Sequence, residues 1–172
     1  ADILHFYGVY MLFPLLLMRS NARQILTWAG AGILIYPLLL YWFDYEAGWN
    51  FDTLEYLDFW EFRGFLRNLF INGSHPVLPW VSFMLVGFWY GKQDLNNDQF
   101  VKRSIRVSTL VFTVIQLFSY FWVRILSNSN EEMLSDLSEI IGTDPMPPLP
   151  VYMFNGIAIA ILVISLCILI GK

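Results

Sequence analysis

The chain has 172 residues, of which 57% are hydrophobic, 18% aromatic and 14% charged, with a formal net charge of −4 and a mean hydropathy of +0.55. Soluble domains carry roughly a quarter charged residues, so this composition excludes an ordinary water-soluble domain and points to a membrane protein. Neither a nucleic-acid partner nor a metal is expected, and the single cysteine, Cys167, has no partner for an internal disulfide and reads as packing.

Five apolar runs, Ile3–Met18, Ile25–Phe43, Val77–Gly91, Ile105–Leu126 and Val151–Ile170, predict an all-α polytopic membrane helix bundle with about five transmembrane helices. A span needs roughly 20 apolar residues to cross a hydrocarbon core of about 30 Å, so the first and third runs are short. We expect one transmembrane domain over residues 1–172. The first run follows Ala1-Asp2 directly, with no initiator methionine and no basic stretch, so it is not a signal peptide. The chain is therefore expected to be the C-terminal part of a longer protein, with the remaining N-terminal helices or another subunit as partners.

In the second run, Gly30 and Gly32 of AGAGIL are small residues suited to close helix approach, and Pro37 marks a kink. The loop that follows, DYEAGWNFDTLEYLDFWEFRGFLRNLF, predicts an outer amphipathic interfacial helix. Its acidic face is Glu55, Asp58 and Glu61, and its apolar side Leu54, Leu57, Phe62, Phe65, Leu66 and Leu69. Such a helix either caps the bundle or forms a lid over an outward pocket.

The third run is entered through NGSHPVLPW, Asn72 to Trp80, which holds one of the two histidines. Fifteen residues at about 1.5 Å each give roughly 22 Å of helix, so the turn is recessed below the outer interface. Non-helical backbone at that depth must be buried by protein or line a wet cavity. Asn72, Gly73, Ser74 and His75 are accordingly expected to line a pocket. His75 is either a general base, its pKa lying near neutral, or a structural residue that bonds the loop. Arg63 and Arg67, one turn apart, are candidates for holding a polar or anionic substrate. Asn72-Gly73-Ser74 also matches a glycosylation sequon.

In the fourth run, Thr109, Thr113, Gln116, Tyr120 and Arg124 recur at helical spacing. Polar groups in lipid need partners, so this stripe either hydrogen-bonds other helices or lines a passage. The loop Ser127–Pro150 reads as a short helix followed by GTDPMPPLP, with Pro150 in the first turn of the fifth run.

Orientation follows from the basic residues. If the runs alternate, Arg19, Arg23, Lys92, Lys102, Arg103, Arg106 and Lys172 share one side, and most of the 14 acids lie on the other with Arg63, Arg67 and Arg124. This predicts a multi-pass plasma (inner) membrane protein, N-terminus outside and C-terminus cytoplasmic.

The blocks ADILHFYGVYML, GFLRNLFINGSHPVLPWVSFMLVGFWYGK and TDPMPPLPVYMFNGIAIAILVISLCILI resemble the C-terminal half of bacterial membrane proteins related to heparan-α-glucosaminide N-acetyltransferase. The resemblance covers nearly the whole chain, and the segment from Arg67 to Gly91 carries most of it. It implies a transmembrane acyltransferase of about ten helices that takes acetyl from cytosolic acetyl-CoA and delivers it to a sugar or glycan acceptor on the far side. In that family the histidine linked to acetyl transfer lies in an early outer loop, N-terminal to this chain, so the role does not map onto His75 by motif. By position in the motif, the resemblance implies that Arg67, Asn72, His75 and His5 belong to an acceptor pocket, and Ser74 and Trp80 are candidates beside them. The cytoplasmic cations Lys92, Lys102, Arg103 and Arg106 either meet the phosphates of coenzyme A, with Gln116 of the polar stripe as a further cofactor candidate, or follow from the positive-inside rule alone.

From the residues themselves, His75 is the candidate catalytic base, with Asn72 or Arg67 as oxyanion donors. The alternatives are a non-catalytic membrane subunit in contact with lipid or a partner protein, and a transport element. The spans hold no acid, which argues against proton-coupled transport.

Overall fold

The computed structural model describes residues 3–126 and 142–172, so most of the helix expected between Ser127 and Pro150 lies outside the described residues. The described elements are α1 (Leu4–Leu16), α2 (Ala22–Trp42), β1 (Trp49–Asn50), β2 (Glu55–Tyr56), α3 (Phe62–Arg67), α4 (Val77–Gly91), α5 (Asp98–Leu126) and α6 (Pro150–Ile170). Among the described residues the fold is all-helical apart from one small hairpin, and three helices are long and apolar enough to cross a membrane: Ala22–Trp42, Asp98–Trp122 and Pro150–Ile170. A fourth crossing is available if Phe62–Asn72 and Val77–Gly91 act as one span bent by 48°. Helix α1, with 13 residues, is only about 20 Å long.

The contacts divide the chain into two compact units, Ala1–Phe88 and Trp89–Lys172.

In the first unit, α2 starts at a capping box: Asn21 Oδ1 accepts from the Gln24 amide at 2.9 Å, and Gln24 Oε1 accepts from the Asn21 amide at 3.0 Å. Its buried stripe is Ile25, Ala29, Gly32, Ile33 and Tyr36, the three-and-four spacing of one helix face. Ser82 of α4 donates to the Ala29 carbonyl at 2.8 Å. A Cβ on Gly32 would stand 2.7 Å from Ser82 Oγ, whereas Gly30 has open space around it. Of the two glycines, Gly32 alone is required for close approach.

The interfacial helix expected over the outer loop does not form across its acidic part. Trp49 pairs with Tyr56 and Asn50 with Glu55 in an antiparallel hairpin. Asn50 Oδ1 accepts from the amides of Asp52 and Thr53. This side-chain turn competes with helix. Gly48 supplies a positive φ of 85°, and a Cβ there would also meet the Arg67 guanidinium. Glu55, Asp58 and Glu61 therefore share no helical face. Helix begins only at Phe62, and after Arg67 it widens over Asn68–Asn72 into π-type bonding.

In the second unit, α5 and α6 pack along each other. Val101 and Ser108 are buried on α5, and Ser104, Phe112, Ile115, Gln116 and Ser119 half-buried. Of the predicted polar stripe, only Gln116 lies on this face; Thr109, Thr113, Tyr120 and Arg124 are exposed. The stripe is centred about 100° around the helix from the packed face, one residue step, with Gln116 on the shared edge. Helix α6 starts at Pro150, whose missing N–H costs nothing there. Cys167, expected to pack, is exposed on α6 rather than buried among the described residues.

Candidate functional site at the break between α3 and α4

Where a helix is interrupted, its carbonyls lose their partners, and in an apolar setting each unpaired one is costly. Side chains from three separate elements supply the missing donors here. Tyr36 of α2 donates to the Ile71 carbonyl at 2.8 Å. Trp49 of β1 donates through Nε1 to the Asn72 carbonyl at 2.5 Å. Tyr10 of α1 donates to the His75 carbonyl. The Gly73 amide closes the π-type turn on the Asn68 carbonyl at 2.9 Å.

The Asn72 side chain is fully buried. Its Nδ2 donates to the carbonyls of Tyr45 at 2.9 Å and Ala47 at 2.8 Å, and its Oδ1 accepts from Tyr56 Oη at 3.0 Å. Arg67 Nε donates to the same Tyr56 oxygen at 2.8 Å, and Arg67 Nη2 is paired with Asp58 at 2.6 Å. Asn72 and Arg67, expected to face a substrate, thus spend these donors in tying the hairpin to the helix break. Both Nδ2 hydrogens of Asn72 are committed, so it is not an oxyanion donor. Burial also removes it as a glycosylation acceptor.

His75 stands apart from this polar chain. Its ring pairs with Trp80 at 4.6 Å between centroids and with Phe6 at 6.5 Å. The residue is half-buried, and its Nδ1 is buried with no hydrogen-bond partner among the described residues. His5 stacks obliquely on the same Phe6 at 3.9 Å and meets Phe59 at 5.6 Å. Phe6, 1% exposed, therefore links the two histidines. Ser74 is half-buried beside His75, and its hydroxyl has no partner among the described residues. His5, Phe6, His75 and Trp80 thus form a chain of aromatic contacts, while Arg67 and Asn72 form a hydrogen-bonded lock with Tyr56 and Asp58.

The donors Tyr10, Tyr36 and Trp49 and the linker Phe6 were not singled out in the sequence. The only trace of them is that tyrosine and tryptophan are apolar residues with one polar atom, suited to reach a carbonyl inside lipid.

The residues expected to meet a cofactor lie in the second unit, where Arg103 and Arg106 come together but Gln116 does not join them. Arg103 lines a cavity of about 380 Å³ with Trp89, Tyr90, Phe100, Ser104, Val107, Ser108 and Ile161. Arg106 joins it at a second cavity of about 300 Å³ with Val107 and Leu110. Gln116 is thirteen residues beyond Arg103, about 20 Å along the helix, and there donates to Asn155 Oδ1 at 3.3 Å. Comparison of the chain with protein-family models, with curated proteins and with solved structures gave no match.

Proposed function

We propose that the chain is the membrane-embedded part of an acyltransferase, with His75 as the base that prepares the acceptor. The observation that carries this reading is the buried, unpartnered Nδ1 of His75, set in a break whose neighbouring carbonyls are capped by side chains. Buried polar atoms are almost always paired, so an unpaired one is a place where a substrate group can bind. The acceptor hydroxyl or amine of a sugar gives its proton to the imidazole as its oxygen or nitrogen attacks the thioester carbonyl of acetyl-CoA. The carbonyl becomes an oxyanion, for which the Ser74 hydroxyl is the adjacent donor. When the tetrahedral centre collapses, the C–S bond breaks and the thiolate takes the proton back from the imidazolium. Trp80 and His5, both half-buried, are the aromatic faces offered to a sugar ring, with Phe6 buried behind His5.

The same reading has five crossings in a plasma (inner) membrane, α1 and the bent α3–α4 pair each counted as one, with His75 toward the outside and the end bearing Lys92 and Lys102 toward the cytosol. The positive-inside distribution supports this orientation.

A test uses the full-length protein in proteoliposomes, with labelled acetyl-CoA on one side and a glucosamine-terminated glycan on the other. His75→Ala is expected to cut turnover about 10²-fold or more, the ordinary effect of losing a general base. His75→Gln should restore thermal stability but not rate. Unchanged turnover in His75→Ala rejects the assignment.

A second reading, a non-catalytic membrane subunit, is favoured by the way Asn72 and Arg67 are consumed internally. It expects His75→Ala to be silent in every assay and Asn72→Ala to deplete the assembled protein.

A further inference from the structure

We infer that the second unit carries a binding site for one anionic phospholipid, with Arg103 and Arg106 on its phosphate and an acyl chain in the adjoining cavity. The inference is independent of the acyltransferase reading.

The cavity of about 380 Å³ is walled by Trp89, Tyr90, Phe100, Val107 and Ile161. Its two serines offer no outward donor: Ser104 Oγ donates to the Phe100 carbonyl at 3.0 Å and Ser108 Oγ to the Ser104 carbonyl at 2.7 Å, both within their own helix. An apolar chain fits such a wall without leaving a polar group unpaired, whereas a nucleotide base and ribose do not.

The charge lies at one edge. Arg103 and Arg106 are exposed, three residues apart, and together with Val107 and Leu110 line the neighbouring space of about 300 Å³. Among the described residues neither arginine has a carboxylate within ion-pair distance. Asp98, at the start of that helix, is paired with Lys172 at 2.6 Å. Guanidinium groups are weakly hydrated and present fork geometry to phosphate oxygens.

The position along the helix agrees with this chemistry. Arg103 and Arg106 lie five and eight residues into α5, roughly 7.5 and 12 Å from its start, and basic pockets near the ends of membrane helices hold anionic headgroups.

The test titrates the full chain in neutral detergent with phosphatidylglycerol or phosphatidylcholine carrying brominated acyl chains, and reads tryptophan quenching. Phosphatidylglycerol is expected to quench at much lower mole fraction than phosphatidylcholine, and Trp89→Phe should remove most of the saturable component. Arg103→Gln with Arg106→Gln should weaken the phosphatidylglycerol response about 30-fold, two surface arginines' worth, and leave the phosphatidylcholine response unchanged. Equal quenching by the two lipids in the unaltered chain overturns the site and needs no variant to fold. Displacement of the lipid by micromolar acetyl-CoA overturns it in favour of a nucleotide thioester.

Discussion

Asn72→Ala is the sharpest single perturbation of the helix break. The alanine removes two donors to the Tyr45 and Ala47 carbonyls and one acceptor for Tyr56. At about 1 kcal/mol per hydrogen bond, three bonds amount to about 3 kcal/mol. The residues that own the two carbonyls are only half-buried, so water offsets part of the desolvation and the upper end of the range does not apply. For a chain of this size about 3 kcal/mol corresponds to roughly 6–12 °C in Tm. The assay is the fraction remaining monodisperse in detergent after heating, read by size-exclusion chromatography. Tyr56→Phe alone should cost about 1–2 kcal/mol, because it also strands Arg67 Nε. The two changes share a bond, so the double variant should be less destabilised than the sum by about 1 kcal/mol. An Asn72→Ala protein that melts within about 1 °C of the parent refutes the lock, whatever the activity does.

Gly32→Ala should destabilise by about 1–2 kcal/mol, because the new methyl displaces Ser82 from Ala29 in a buried contact. Gly30→Ala, with open space around it, should stabilise by up to about 1 kcal/mol through helix propensity; the same melting assay compares them, and equal effects would contradict the close approach. Gln116→Leu should cost about 1–2 kcal/mol by leaving buried Asn155 unpaired, while Thr113→Leu on the exposed face should be neutral within about 0.5 kcal/mol. In a Cys167→Ser background, cysteines at Asn96 and at Asp144 should react with an impermeant thiol reagent from opposite membrane faces; same-side labelling removes the proposed orientation.

The helices were largely legible because apolar runs report where a chain can enter lipid. Val77–Gly91 is helical over its apolar run apart from non-helical backbone at Leu78, and Pro150 opens α6 as a proline at the first helical position should. The start of α5 was not legible from hydropathy: Asp98 to Ser104 is helical but too polar to read as span. The hairpin was missed for another reason. Leu54, Leu57 and the acids three apart imitate helical periodicity, while the competing signal was the short-range turn chemistry of Gly48 and Asn50. In the candidate site, the break in the helix ahead of Val77 could be found from proline placement. That Asn72 and Arg67 would be used up by Tyr56, Asp58 and two backbone carbonyls could not, since those partners depend on how the hairpin folds back. The polar stripe on α5 illustrates a limit of periodicity. It identifies which residues share a face but not which face meets a neighbour.

The capped break between α3 and α4 also has an order in time. Tyr10, Tyr36 and Trp49 precede the carbonyls they serve by 65, 35 and 23 residues. A chain delivered to the bilayer from its N-terminus makes every one of these donors before the acceptor it will hold. The interrupted segment therefore emerges into a membrane where its partners already wait, and the interval in which its bare carbonyls face lipid is limited by side-chain docking rather than by further synthesis. Reversing that order, by circular permutation that places α1 and α2 after α4, would leave the same contacts in the finished protein but expose the break during biogenesis, so yield in the membrane would suffer where equilibrium stability did not.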